Sequence, residues 1–234
     1  MKSKVAIILP TYNVTEHLDI MINSLYESTN FPFKLIVVDG YSTDTTFTKL
    51  KQLAKYKDNV EIYQIPRKGL VNAINFGIKK AGNLDCYLTQ PDVIHYKKYK
   101  LDWLAEMYIA SKNEGVGMVT GLEGWSVSGP TCINGFKWIG TWNAYISRKT
   151  INKIGLFDEQ FFGNDDIDYS YRVVKAGLKN VVINYWVHHH QLTHRGDGNS
   201  SSNLKKMGEL FRKKWKIGEF KNDNTGRYYN ETRR

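Results

Sequence analysis

The sequence predicts an α/β fold, a single domain with a Rossmann-like, mostly parallel sheet flanked by helices. Short continuous apolar runs, such as residues 5–9 and 35–38, are typical of strands that are buried on both faces. Segments with apolar residues at helical spacing, such as residues 70–81, separate these runs. Repeated strand and helix units of this length build a parallel sheet with helices on its faces.

The elements of the N-terminal half follow from these patterns in order. The first strand covers residues 5–9 and stops at Pro10, where the apolar run breaks. Asn13 is predicted to cap the first helix, with Glu16 completing a capping box. Further strands are predicted at residues 35–38, 60–65 and 86–88, and further helices at residues 45–56 and 70–81.

The second half of the chain is less regular. Helices are predicted at residues 101–111, 151–155, 166–176 and 204–215, and one strand at residues 181–188. Residues 115–140 are rich in glycine, a composition that indicates turns and a binding loop. The last fifteen residues are predicted to fray.

The composition of the 234-residue chain excludes several classes of protein. It is 41% hydrophobic and 24% charged, which is typical of a globular domain and unlike a disordered chain. No apolar run approaches the roughly 20 residues that span a bilayer, and residues 5–9 are too short for the core of a secretory signal. The two cysteines, Cys86 and Cys132, form no CxxC pair, so we expect a reduced, cytoplasmic protein.

The net charge of +10 is concentrated near the C-terminus, because residues 205–234 hold ten Lys or Arg against four Asp or Glu. A basic segment can meet nucleic acid, an anionic lipid surface or a phosphorylated substrate, or it can serve solubility alone. The charge by itself does not decide among these roles.

Ligands of a parallel sheet bind at the carboxyl ends of its strands. Residues 10–13, Asp39 and residues 89–92 follow three predicted strands, so we expect them to share one edge. No GxGxxG follows the first strand, which argues against a dinucleotide-binding dehydrogenase, and the chain has no GxxxxGK[ST] P-loop.

Five segments in order resemble the glycosyltransferases of family 2, which have the GT-A fold. They are VAIILPTYN at residues 5–13, IVVDGYSTD at 36–44, LTQPDV at 88–93, GLFDE at 155–159 and NDDID at 164–168. Arg172, His188 and the pair Lys214-Trp215 extend the likeness, and LTQPDV is similar to a loop of rhamnosyltransferase-like members. The resemblance implies a GT-A domain at residues 1–216, with a nucleotide-sugar half at 1–93, an acceptor half at 94–216 and a basic C-terminal tail at 217–234.

The donor-binding residues are inferred partly from chemistry and partly from this resemblance. The carboxylate of Asp39 can accept a hydrogen bond from a pyrimidine N–H, although Asp-Gly also forms ordinary turns. The resemblance implies further donor contacts, which it assigns to Pro10, Thr11, Asn13, Arg67, Lys68, Gln90 and Asp92.

Asp92 is also the candidate metal ligand. Mn²⁺ or Mg²⁺ on its carboxylate would neutralise the charge that develops on the departing diphosphate. The resemblance implies that His188 completes the site, but Gln90 replaces an acid that family members carry, and a neutral amide weakens cation binding. Residues 188–190 and His194 could instead bind Zn²⁺ or form a solvent-facing polar loop.

The acidic cluster Asp165, Asp166 and Asp168 is the candidate catalytic group. Inverting transfer needs one general base for the acceptor hydroxyl, and the resemblance places that role on Asp166, with Asp165 beside it. Helix capping is the alternative role for the cluster, and Asp168 and Arg172 are spaced to pair with each other. Acceptor contacts are implied for Trp138, Trp142 and Asn143, although buried structural tryptophans would give the same pattern.

The sequence therefore predicts a metal-assisted, inverting glycosyltransferase that moves a sugar from a UDP-, GDP- or dTDP-linked donor to a glycan, glycolipid or protein acceptor. We expect no nucleic-acid partner, and the basic tail would allow peripheral contact with a membrane. One alternative is a nucleotidyltransferase, although the GxGTRxxP signature is absent. Another is a non-catalytic nucleotide-sugar or glycan-binding protein, which has no need of a base such as Asp166.

Overall fold

The computed structural model describes residues 3–97, 102–123, 132–133, 136–189, 201–216, 220–222 and 228–230. Its strands are β1 (Val5–Thr11), β2 (Phe33–Asp39), β3 (Val60–Gln64), β4 (Asp85–Thr89), β5 (Val93–His95), β6 (Val116–Glu123), β7 (Cys132–Ile133), β8 (Phe136–Lys137), β9 (Asn143–Ile146), β10 (Lys179–His189), β11 (Phe220–Asn222) and β12 (Tyr228–Asn230). Its helices are α1 (Thr15–Ser28), α2 (Thr46–Tyr56), α3 (Leu70–Lys80), α4 (Trp103–Ser111), α5 (Arg148–Ile154), α6 (Asp165–Lys175) and α7 (Ser201–Trp215).

Eight of these strands form the main sheet, in the order β3-β2-β1-β4-β9-β6-β10-β5. Strands β1 to β4 run parallel, as do β6 and β10. Strand β9 is antiparallel to both neighbours and β5 is antiparallel to β10. The predicted α/β class with a mostly parallel sheet is therefore confirmed. A smaller sheet has the order β11-β12-β7-β8.

Two apolar layers cover the faces of the main sheet, because alternate residues of each strand point in opposite directions. Val5, Ile7 and Leu9 face the layer that includes α1 and α4. Ala6 and Ile8 face the layer that includes α3 and α6. Gly77 lets α3 approach closely, since a Cβ there would lie 2.4 Å from Cγ2 of Ile8.

The prediction that Asn13 caps the first helix is wrong. Helix α1 begins at Thr15 after Val14, whose side chain forms no cap, and the amide of Thr15 donates to Oδ2 of Asp44 at 3.3 Å. Asn13 adopts a left-handed backbone with φ 51°, and its Oδ1 accepts a hydrogen bond from the amide of Thr43, at 2.8 Å. The side chain therefore ties the β1 and β2 loops together.

The prediction of turns throughout residues 115–140 is also wrong for the part that forms β6. Its glycines mark close packing: a Cβ on Gly117 would lie 2.3 Å from Cγ1 of Val173, and one on Gly121 would lie 2.5 Å from the carbonyl oxygen of Tyr185. Strands β5 and β9 were not predicted, and β11 and β12 form at positions where fraying was expected. Residues 124–131 lie outside the described part of the chain.

Within the described residues, no helix combines the length and the apolar character that crossing a membrane requires.

Candidate active site

The carboxyl ends of the first strands meet at one edge, as predicted. Thr11 pairs in register with Asp39, and Asp39 with Gln64. The buried Asp39 carboxylate accepts hydrogen bonds from Oγ1 of Thr11 at 3.1 Å, Nε2 of Gln64 at 3.1 Å, and the amide and hydroxyl of Ser42. These four donors occupy the acceptor positions of the carboxylate. A base N–H could therefore bind Asp39 only if one donor moves.

Tyr12 and Arg67 form an exposed platform beside this edge. Cζ of Arg67 lies 4.1 Å from the centre of the Tyr12 ring, and Tyr12 is 37% exposed. Lys68 is exposed next to Arg67, and Gly69, with φ 99°, turns the chain into α3. Tyr12 was not predicted as a site residue, although an aromatic residue between Thr11 and Asn13 is a visible signal for stacking.

The loop after β4 brings Asp92 to the end of β10. Strand β5 pairs with β10 so that Val93 lies opposite His189, and Nε2 of His189 is 3.2 Å from Oδ2 of Asp92. His188 was expected here, but adjacent residues of a strand point to opposite faces. The structure therefore places His189 beside Asp92, and the metal contact of His188 stays a prediction.

An aromatic stack beneath β5 supports this loop. The rings of His95 and Trp103 stack with centroids 4.8 Å apart, and Trp103 stacks on Tyr185 at 5.0 Å. Burial lowers the pKa of His95 to about 3. The ring is therefore neutral at physiological pH and serves as a packing element, with Nε2 3.3 Å from Oγ1 of Thr89.

The two predicted acceptor tryptophans lie together between Asp92 and helix α6. Trp142 stacks on His189 at 5.1 Å and meets the edge of Trp138 at 5.8 Å. Neither indole Nε1 has a hydrogen-bond partner, although both atoms are buried. Both groups can donate a hydrogen bond to a ligand that reaches them.

Asn143 is a core residue. It lies in β9, is 1% exposed, and its Oδ1 accepts a hydrogen bond from the hydroxyl of Tyr87 at 2.9 Å. Its Nδ2 is buried without a hydrogen-bond partner, and the acceptor contact of Asn143 stays a prediction.

Asp165 and Asp166 occupy the first turn of α6. Two residues with positive φ, Gly163 at 115° and Asn164 at 57°, turn the chain into this helix. Oδ1 of Asp166 accepts a hydrogen bond from the amide of Ile167 at 2.8 Å. Oδ2 of Asp165 is buried without a hydrogen-bond partner. Burial raises the pKa of Asp165 to about 6, and the negative charge of Asp168 adds to this rise.

Asp168 pairs with Arg172, as its spacing predicted. Nε of Arg172 donates to Oδ2 of the fully buried Asp168 at 3.1 Å. The same guanidinium donates to the carbonyls of Ile154 and Leu156. Asp168 therefore has a structural role that links α6 to the end of α5.

The loop before α6 contacts the start of α3. Asn75 of α3 bonds both the amide and the carbonyl of Phe157, and its Nδ2 also donates to Glu159. That hydrogen bond lowers the pKa of Glu159. The Phe162 ring lies 3.5 Å from where a Gly69 Cβ would be. These contacts bring the 67–69 loop close to the turn that carries Asp165 and Asp166.

The described residues contain no group of three or more His, Cys, Asp and Glu side chains that could hold a metal ion. His190 and His194, which were considered for Zn²⁺, lie outside the described residues. Asp92 and His189 nevertheless offer a carboxylate and an imidazole at one point. The carboxylate suits Mn²⁺ or Mg²⁺ together with phosphate oxygens, whereas the imidazole favours a transition metal over Mg²⁺.

A parallel sheet extended by an antiparallel strand, with its polar edge facing an acidic helix start, defines the GT-A class of fold. A mannosyltransferase from Pyrobaculum calidifontis, solved with GDP-Man and Mn²⁺, shares it with a TM-score of 0.69 and 18% identity over 83% of this chain and 59% of that chain. Residues 6–108 match the model for glycosyl transferase family 2.

Curated relatives agree with this assignment. The chain is 25% identical to chondroitin synthase of Pasteurella multocida, over 80% of this chain and 24% of the relative. It is 26% identical to a dolichyl N-acetyl-α-D-glucosaminyl phosphate 3-β-D-2,3-diacetamido-2,3-dideoxy-β-D-glucuronosyltransferase of Methanococcus voltae, over 78% of this chain and 66% of the relative. The chain thus spans less than two thirds of the length of either relative.

Proposed function

We propose that the protein is an inverting glycosyltransferase that moves a sugar from a nucleotide-diphosphate sugar to a hydroxyl acceptor. The observation that carries the proposal is the buried acid pair Asp165-Asp166 at the start of α6, held beside the strand-end edge of a family 2 domain. The named relatives are glycosyltransferases and synthases that build glycans, which supports the same reaction class for this chain.

The donor nucleotide is proposed to bind along residues 1–93. Its base would stack on Tyr12 and Arg67, since an exposed ring with a cation above it offers a flat surface. Pro10, Thr11 and Asn13 form the backbone of this edge, and Lys68 adds positive charge for the diphosphate. Asp39 orders the edge through its hydrogen bonds and would exchange one of them for the base.

The divalent cation is proposed to bind Asp92 and His189, next to Gln90. When bound, Mn²⁺ or Mg²⁺ supplies positive charge for the departing diphosphate. The role of His189 replaces the one predicted for His188, because His189 is the residue that contacts Asp92. The structure with Mn²⁺ and GDP-Man among the relatives of this fold supports the choice of ion.

The transfer step is proposed to use a carboxylate of α6 as the general base. Asp166 would take the proton from the acceptor hydroxyl as its oxygen attacks the anomeric carbon, and inversion follows because the displacement is direct. Asp165, with a pKa of about 6, stands beside it at a value suited to proton transfer near neutral pH. Trp138 and Trp142 would hold the acceptor in residues 94–216, with their ring faces and free indole N–H groups.

A panel of UDP-, GDP- and dTDP-sugars tests the proposal. We expect one donor to bind and to be hydrolysed slowly without acceptor, because water can replace the acceptor hydroxyl. If a nucleotide sugar raises the melting temperature of the protein but no nucleotide is released, the protein is a binding protein and not an enzyme. A protein that forms a nucleotide sugar from a sugar phosphate would be a nucleotidyltransferase.

Metal removal gives a second test. Donor affinity measured by calorimetry should fall in EDTA and recover with Mn²⁺, and Asp92→Ala should remove most of this difference. His189→Asn should weaken the metal effect as well, whereas His188→Asn should leave it near wild type, because His188 points to the opposite face of β10. Equal donor affinity with and without EDTA would show that the site works without a metal.

A further inference from the structure

The last turn of α7 is fixed to the acidic helix α6 by a charged junction outside the residues assigned above. Nζ of Lys214 lies 2.8 Å from Oδ2 of Asp158 and 2.8 Å from Oδ1 of Asp168. Nε1 of Trp215 donates to the same Oδ1 of Asp168 at 2.9 Å. Two consecutive residues of α7 therefore bind one buried carboxylate of α6.

This junction matters electrostatically because Asp168 is fully buried. Its Oδ2 accepts from Arg172 of its own helix, and its Oδ1 relies on donors that come from α7. A buried carboxylate that loses a cationic partner keeps its desolvation penalty without full compensation. Lys214 is thus the cationic partner that a distant segment of the chain supplies to Asp168, whereas Arg172 is the cationic partner on the same helix.

Asp165 lies one turn before Asp168 on the same helix, so the two carboxylates are neighbours on its surface. The negative charge of Asp168 already contributes to the raised pKa of Asp165. The other charged groups on the elements around this turn are Arg67 and Lys68 before α3, Asp158 and Glu159 in the preceding loop, Asp166 and Arg172 on α6, and Arg212, Lys213 and Lys214 on α7. Among them, Lys214 is the cation that contacts Asp168 from outside α6.

We propose that Lys214 is a positioning residue for the acid pair: it seats α7 on α6 and supplies the positive charge that offsets Asp168 next to Asp165. The assignment rests on the proposed glycosyl transfer, in which the acid pair accepts a proton. Lys214 touches neither donor nor acceptor in this role. It acts through Asp168, and its loss should change the ionisation of Asp165 more than the shape of the site.

The test follows the carboxyl carbon of Asp165 by ¹³C NMR as a function of pH, with the signal assigned from Asp165→Asn. In Lys214→Met, the uncompensated charge of Asp168 should favour the protonated form, and the pKa of Asp165 should rise by about half to one unit. Lys214→Arg keeps the charge and should restore the wild-type value. The matched control is Lys175→Met, which removes an exposed charge from the far end of α6, about 15 Å from Asp165 along the helix axis.

Transfer rates give the functional readout. In Lys214→Met the acidic limb of the kcat/KM profile should also move to higher pH, because the proposed base Asp166 shares the first turn of α6 with Asp165 and is exposed to the same uncompensated charge of Asp168. The rate lost at pH 6.5 should then largely return at pH 8.5. An unchanged Asp165 titration in Lys214→Met, or a uniform loss of rate at every pH, would overturn the proposal. Failure of the proposed function would be recognised separately, because wild-type protein would then show no turnover while the NMR titration still reports on Lys214.

Discussion

The burial of the Asp165 carboxylate lowers the free energy of unfolding when this group is ionised. Its Oδ2 is buried without a partner, and burial raises its pKa from 3.8 to about 6. Between about pH 4 and pH 6 the folded protein holds a proton that the unfolded chain has already released. The stability of the fold should therefore decrease as the pH rises through this window.

The first prediction measures this cost. The difference in the free energy of unfolding between wild type and Asp165→Asn should shift by about 2 kcal/mol in favour of the variant from pH 4 to pH 7, because each pKa unit corresponds to about 1.4 kcal/mol and part of the shift already lies below pH 4. Urea unfolding at several pH values measures it. Asp158→Asn is the control of opposite sign: although partial burial opposes the effect, the Lys214 hydrogen bond lowers the pKa of Asp158, so its stabilisation is lost as the pH falls.

The second prediction separates the two acids in catalysis. Asp166→Asn should reduce transfer by about 10²–10⁴-fold, as expected for the loss of a general base, while donor affinity stays within a few-fold of wild type. Asp165→Asn should have a smaller effect. If Asp165→Asn proves the more damaging change, the base is Asp165, and its raised pKa becomes part of the mechanism.

At the scale of elements, the contact between α3 and the loop before α6 organises the site. Asn75 is buried and bonds both polar groups of the Phe157 backbone. We predict that Asn75→Ala lowers the free energy of unfolding by about 2–3 kcal/mol, because two backbone groups lose their partner in the interior. Urea unfolding provides the measurement.

Asn72→Ala is the matched control for this prediction. Asn72 lies one turn earlier on α3, and its side chain makes an exposed bond of 3.4 Å to Glu159. We expect a loss below about 0.5 kcal/mol, the usual range for surface sites. Equal losses in the two variants would show that the Phe157 bonds do not stabilise the loop.

At the scale of the whole molecule, the positive charge is carried by α7 more than by the residues beyond it. Residues 217–234 hold four basic and three acidic side chains, whereas residues 201–216 hold six basic and one acidic. Lys214 forms ion pairs with Asp158 and Asp168. Lys205, Lys206 and Lys213 are exposed. Any electrostatic contact with an anionic acceptor or a membrane surface is therefore expected on α7 rather than on a separate tail.

The last prediction tests this charge. Replacing Lys205, Lys206 and Lys213 by Gln should raise the KM for an anionic acceptor at low salt, and the difference should shrink near 1 M salt, where the Debye length is about 3 Å. Donor hydrolysis should change little. The same number of replacements at Lys51, Lys55 and Lys175, which are exposed elsewhere, should leave the KM unaltered. Unchanged acceptor kinetics in the α7 variant would leave solubility as the role of the charge.

The parallel sheet and the edge where its strands end could be predicted from local patterns in the chain. Continuous apolar runs and helical spacing are local patterns, so the strands that end at Thr11 and Asp39, and helix α3, could be predicted. The i,i+4 pair of Asp168 and Arg172 is equally local, and its prediction is confirmed.

Which side chains meet across that edge depends on contacts that form only in the folded chain. The choice of His189 over His188 depends on the register between β5 and β10, and a shift of one residue would exchange them. Asn13 bonds to Thr43, and Lys214 to Asp168, through contacts between distant segments that no spacing in the sequence encodes. In the sequence, the glycines of β6 resembled turn residues. They are needed for close approach to Val173 and Tyr185, and that contact exists only in the folded chain.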